Sequence, residues 1–174
     1  MRSGFRTFAA ALALASLLIL PGCSGCEEPD DEQQIRALIA EGVNLAEQSD
    51  VGGLMELATD GFTAAPGSVS RQEVKGVLLM AFRRYGRITI AHPSPSVTIA
   101  EDRLTATAEL PFLVVRDGEA APDLGELVDD PERWFEGVAE MGDAFYLELH
   151  LEKTDDGWKA AKARLRGTRD RWSM

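Results

Sequence analysis

At Gly86 the spacing of apolar residues in this chain changes from helical to alternating, so helices precede that point and strands follow it. Ahead of it, Ser70-Arg71-Gln72-Glu73 forms a capping box. Val74, Val77, Leu78, Ala81, Phe82 and Tyr85 then fall at i, i+3, i+4, i+7, i+8 and i+11, and Gly86 supplies the stop. Beyond it, Ile88 and Ile90 alternate with Thr89 and Ala91, and Val97 and Ile99 continue the pattern. Segregated helices and strands predict an α+β fold, with N-terminal helices packed on an antiparallel sheet.

Two helices, the second of them short, precede the capped one. The first is expected to start near Asp31, with that carboxylate as cap and Gln34 three residues on, and to carry Ile35, Leu38, Ile39, Leu45 and Ala46 on one face. Asp50 caps a second, with Val51, Leu54, Leu57 and Ala58. After Gly86, His92-Pro93-Ser94-Pro95 interrupts the first strand, and apolar parity passes from even to odd numbers across it, which predicts a bulge or bend. Leu104–Val115 reads as a further strand, and Phe145–Lys153 with Trp158–Arg166 as a terminal hairpin. A three-residue loop, Asp155-Asp156-Gly157, sets Leu151 opposite Ala161, Leu149 opposite Ala163 and Leu147 opposite Leu165. The other face then pairs Glu148 with Arg164 and His150 with Lys162, so one face is apolar and the other ionic.

Between strand and hairpin lies an acidic insertion, 117–143, in which Asp130-Pro131 starts a short helix that buries Trp134, Phe135, Val138 and Met141 over an edge or opening of the sheet. The N-terminus is an address. Arg2 and Arg6 precede the uncharged run Phe8–Leu20, which has the length and flanks of a secretory segment and is too short for a comfortable membrane span. It ends in Leu20-Pro21-Gly22-Cys23, which resembles the bacterial lipobox. That resemblance implies cleavage after residue 22, acylation of Cys23, a tether over 23–31, a domain over 32–167 and a basic tail over 168–174. Two or three acyl chains anchor essentially permanently, and Ser24 resembles the outer-membrane sorting choice, facing the periplasm. The alternative is an ordinary secreted protein with Cys23 and Cys26 as thiols or a local disulfide.

Net charge is -11 for the chain and, without Arg2 and Arg6, -13, which argues against nucleic-acid binding. The partners expected are the membrane through the lipid, a small apolar ligand or an envelope protein, and a second copy of the chain. No metal site or cofactor follows from spacing, because two histidines and two N-terminal cysteines supply no ligand set.

The order of helix, short helix, capped helix, bent strand and terminal hairpin opening on Gly157-Trp158-Lys159 resembles the nuclear-transport-factor-2-like superfamily, or cystatin-like cone. The resemblance covers about Asp31 to Gly167, with the acidic insertion as a departure. It implies a sheet wrapped around the long helix with a conical pocket, lined here by Ile88, Ile90, Phe82, Trp134 and Phe135. Members include isomerases, dehydratases and domains without catalysis, so fold alone does not choose the activity. The enzymes place a base in the cone opposite a donor, which singles out His92, Asp60 and Tyr85 as catalytic candidates. The structural alternative puts His92 at the strand bend, Asp60 in a local turn beside Gly61, and Tyr85 as an anchor for the helix end. The leading expectation is a non-catalytic binding domain, with an isomerase- or dehydratase-type enzyme and an envelope dimerisation module as alternatives.

Overall fold

The computed structural model describes residues 30–116 and 143–167. The secretory segment, the lipobox with Cys23, most of the acidic insertion with Trp134 and Phe135, and the basic tail lie outside the described residues. The helices are α1 (Asp31–Glu47), α2 (Val51–Glu56) and α3 (Arg71–Tyr85). The strands are β1 (Ala58–Ala65), β2 (Val69–Ser70), β3 (Ile88–Ala91), β4 (Ser96–Ile99), β5 (Thr105–Arg116), β6 (Asp143–Thr154) and β7 (Gly157–Gly167). They form one curved, unclosed sheet in the order β2-β1-β7-β6-β5-β3, with β4 also paired to β5.

The α+β reading holds, but the sheet is mixed, because β1 runs parallel to β7 with Ala58 opposite Ala160 and Ala65 opposite Arg164. The sequence of β1, Ala-Thr-Asp-Gly-Phe-Thr-Ala-Ala, lacks alternation and uses residues depleted in strands. Tertiary pairing creates this strand, and its first residue, Ala58, was expected in the second helix. The start of α1 also differs. Asp30 is the cap, accepting from the Gln33 amide at 2.8 Å, and Asp31 is the first helical residue. Asp50 caps α2 as expected, and Ser70 with Glu73 makes the reciprocal capping box of α3.

The break at residues 92–95 separates β3 from β4 along one side of β5. Ile90 lies opposite Val114, and Val97 opposite Ala108. Both partners have even numbers in an unbroken strand, so the parity change across the break keeps Ile88, Ile90, Val97 and Ile99 on one face. α1 lies along this edge, with Arg36 donating to the Pro95 carbonyl at 2.7 Å and Glu47 accepting from the Ile90 amide at 2.8 Å. These bonds satisfy backbone groups that an edge strand leaves open.

In the terminal hairpin the predicted pairs Leu147–Leu165, Leu149–Ala163, Glu148–Arg164 and His150–Lys162 are present. The turn, however, contains two residues, Asp155 and Asp156, between paired Thr154 and Gly157, and Leu151 faces Ala160. A register shift beside His150 and Leu151 leaves Ala161 as the extra residue. The shorter turn and the one-residue bulge together give the same outer register as a three-residue loop without a bulge.

The concave face packs on α1. Ile35 and Ile39 join Ala106, Ala108, Leu110, Leu151 and Trp158 in the main core, of which Ile35 and Leu151 are 0% and 1% exposed.

Candidate functional site

The cone is sealed at one end and loosely covered elsewhere. Cross-strand register lays out its floor in rows: Ala106–Leu151–Ala160, then Leu110–Leu147–Leu165, then Phe112–Phe145–Gly167, and finally Ile90–Val114–Asp143. α1 closes the first row. In the second, burial falls away across the sheet, from Leu110 at 3% exposed through partly buried Leu147 to Leu165 at 48%. In the third row the Phe112 and Phe145 rings stack at 5.4 Å and stay partly exposed.

α3 covers this region without closing it. Its beginning is fixed where Val74 packs against the cluster of Ala58, Phe62 and Ala160, and where Arg71 donates to the Met55 carbonyl at 2.7 Å. Its last residue is fixed by the Tyr85 hydroxyl, which donates to Asp143 at 2.8 Å. None of its fifteen residues is buried, although Val74, Leu78, Ala81, Phe82 and Tyr85 form an apolar stripe of partly buried side chains. Val77, expected on that stripe, is 55% exposed on its flank. An apolar helix face that remains accessible beside an accessible apolar floor defines a cleft able to take an apolar guest.

The singled-out polar residues occupy separate places. His92 follows β3 at the bend and is partly buried, with Nδ1 2.7 Å from the Pro93 carbonyl. A carbonyl only accepts, so Nδ1 is the donor in this bond. The Asp60 side chain is fully exposed on β1 and pairs with Arg71 at 3.5 Å, so it does not share the cleft with Tyr85. Of the pocket residues, Ile88 is buried, and Ile90 and Phe82 are partly buried. His150 is half exposed on the outer face.

Two features were not anticipated. Asp143, counted with the acidic insertion, is the first residue of β6 and shares the concave parity of Phe145, Leu147, Leu149 and Leu151. Extending that odd-numbered stripe two residues back would have placed a carboxylate on the apolar floor. The second is Asp31, 3% exposed at the sealed end. It accepts from Lys153 at 2.6 Å, from Arg103 at 2.6 and 3.0 Å, and from the Trp158 indole at 3.2 Å. Lys153 first, then Arg103, bring its carboxyl from the ordinary 3.8 down to about 2 against the opposing effect of burial. The signal was the pair Asp30-Asp31, since one helix start needs only one cap and the second acid requires another partner.

Along the hairpin the outer face is ionic, as its register requires, whereas towards β3 the same face carries the buried cluster Ala91, Leu113, Val115 and Ala144. Glu148 pairs with Arg166 at 3.0 Å and His150 at 3.1 Å. Burial would raise its carboxyl, but Arg166, Arg164 and His150 hold it below the usual range. Tyr146 donates to Glu109 at 2.8 Å. Among the described residues there is no cluster of three or more side chains suited to hold a metal, and no helix long and apolar enough to cross a membrane.

No family model and no curated protein matches the chain. Many solved structures do. An NTF2-like protein with a cystatin-like fold from Novosphingobium aromaticivorans is 19% identical, with TM-score 0.56 over 79% of this chain and 82% of its own. A protein of unknown function with a cystatin-like fold from Nostoc punctiforme is 12% identical, with TM-score 0.56 over 79% and 90%. A ketosteroid isomerase-like protein from Erwinia carotovora atroseptica is 14% identical, with TM-score 0.56 over 80% and 98%. The domain therefore has the NTF2-like, cystatin-like cone fold, and identities this low establish the fold alone.

Proposed function

We propose that this chain is a membrane-anchored extracytoplasmic lipoprotein whose cone binds a small apolar ligand without transforming it. The observation that carries the binding reading is α3, whose apolar stripe crosses an apolar floor while none of its residues is buried. A helix that served only to complete the core would be expected to bury that stripe, as α1 buries Ile35 and Ile39. The anchoring reading rests on Leu20-Pro21-Gly22-Cys23 behind its basic and apolar segments. Six residues lie between Cys23 and Asp30, a reach of seven Cα steps, which tethers the domain within roughly 25 Å of the lipid.

Native mass spectrometry of the chain extracted gently from its own membrane tests the binding reading. A reproducible adduct of small-molecule mass is expected, and Phe82→Ser should reduce it while thermal unfolding stays cooperative. A chain that is always free of adduct, and that takes up no neutral apolar fluorophore in titration, refutes it. The anchor is tested separately by Cys23→Ala, which should abolish acylation and release the chain from the membrane.

The Tyr85–Asp143 pair favours a second reading, an isomerase- or dehydratase-type enzyme. A phenol bonded to a carboxylate beside an apolar floor is an arrangement able to donate and accept protons. Under that reading Asp143→Asn abolishes turnover and retains ligand; under the first it changes ligand affinity alone.

A further inference from the structure

α3 has an outer face that the cleft does not use. Met80 on this face is 66% exposed, and Val77 and Leu79, 55% and 46% exposed, flank it on opposite sides, three of the five large apolar side chains exposed among the described residues. Cations lie around them. With Arg71 committed to Asp60 and the Met55 carbonyl, α3 still carries Lys75, Arg83 and Arg84 against Glu73 alone, three positive charges against one negative within a chain of net -11. Glu73 is exposed but is engaged at the helix start, where it accepts from the Ser70 amide at 2.8 Å and hydroxyl at 2.6 Å. Lys75, Arg83 and Arg84 are exposed and form no ion pair among the described residues, whereas Arg36, Arg71, Arg103 and Arg166 do.

We infer that this face of α3 docks on an anionic phospholipid surface, a step that rests on the proposed anchor at Cys23. Exposed apolar side chains interleaved with cations suit a helix lying in the headgroup layer: the apolar groups enter the acyl boundary and the basic groups meet lipid phosphates. A second copy is a poor occupant, because matching faces would oppose Arg83 and Arg84 to themselves. An acidic protein would answer the charge, but the tether already holds the domain beside a bilayer, which makes lipid the favoured partner. With its outer face on the bilayer, α3 would place the cleft on its inner face next to the membrane, where apolar ligands are concentrated.

The test uses the full acylated chain reconstituted in phosphatidylcholine vesicles with and without phosphatidylglycerol. A bimane fluorophore is carried by Met80→Cys in a Cys26→Ser background, with Thr98→Cys, exposed on β4, as the reference site. Lipids brominated in the upper acyl chain should quench position 80 several-fold more than position 98, in anionic vesicles only. Arg83→Glu with Arg84→Glu should remove the difference, as should salt above about 0.5 M. A chain that floats with anionic vesicles but shows no quenching at position 80 overturns the docking and leaves the anchor standing. If Cys23 proves unacylated, anionic vesicles are titrated directly: binding weakened at least tenfold by the double charge reversal supports docking without the anchor, and absence of binding overturns it. Position 80 shielded from aqueous iodide in native membranes, yet unquenched by lipid, assigns the face to a protein and likewise overturns the proposal.

Discussion

Replacing Asp31 separates charge from hydrogen bonding at the sealed end of the cone. Asp31→Asn removes the charge that draws Lys153 and Arg103, yet keeps an oxygen able to accept from the Trp158 indole. Asp31→Ala removes both. Lys153 and Arg103 are 37% and 69% exposed, so both cations can return to water, whereas Trp158 is 5% exposed and its N–H loses its partner. Orphaning a buried donor costs roughly 1–3 kcal/mol, so Asp31→Ala should be less stable than Asp31→Asn by about that amount at every pH. The charge contribution depends on pH. The carboxyl titrates near 3.8 when unfolded and near 2 when folded, so its stabilisation is fully present above 3.8 and is lost as pH falls through about 2. Urea unfolding of the wild type and both variants from pH 7 to pH 2 measures both quantities. The gap between wild type and Asp31→Asn should be constant down to about pH 4 and close over the next two units, while other carboxylates titrate equally in both proteins. A gap unchanged at pH 2, or an alanine variant equal to the asparagine one, would refute the assignment of these bonds.

Three further perturbations probe other parts of the cone. Leu151→Ala, at a side chain 1% exposed, should cost about 3 kcal/mol in urea unfolding, whereas Leu79→Ala, at one 46% exposed, should stay within about 0.5 kcal/mol. Gly157 closes the hairpin turn at φ 105°, so Gly157→Ala should cost at least about 1 kcal/mol by the same measurement. Tyr85→Phe removes the phenol bond to Asp143 at the end of α3. It should accelerate release of a bound apolar fluorophore several-fold in stopped flow, with a stability loss of about 1 kcal/mol.

The parts of the fold legible in the sequence are those fixed by local chemistry. The box at Ser70 and Glu73 and the caps at Asp50 and Gly86 each require only neighbouring residues, and the long hairpin declares its faces by strict alternation from Phe145 onward. What escaped depends on partners distant in sequence. β1 exists because β7 offers it an edge, and nothing in its alanines and glycine announces that. Asp31 could have capped α1; its burial follows from Lys153 and Trp158, more than a hundred residues away. The candidate site divides in the same way. The apolar stripe of α3 was visible by spacing, but its incomplete burial is a property of packing, which periodicity does not reveal. His92 and Asp60 were chosen as residue types, and the fold gives each a local partner, a carbonyl one residue on and an arginine on the next helix.

On the proposed binding reading, the contrast between α1 and α3 bears on how the cone would exchange its contents. α1 gains stability by burying Ile35 and Ile39 against the sheet, and moving it would expose the main core. α3 has no comparable burial, and a helix of fifteen residues is marginal in water on its own. Its sequence compensates locally. The reciprocal box satisfies orphan amides at the start, Glu73 complements the positive end of the helix dipole, Arg83 and Arg84 complement the negative end, and Gly86 at φ 71° terminates the last turn. The integrity of α3 as a helix therefore depends comparatively little on its contact with the sheet. Arg71, Val74 and Tyr85 tie its ends, while its middle lies on partly buried Leu78, Ala81 and Phe82, a smaller hold than a fully buried apolar face provides. On the proposed binding reading, a helix stabilised from within and without a buried side chain is the element suited to shift relative to the sheet when an apolar molecule enters or leaves the cone.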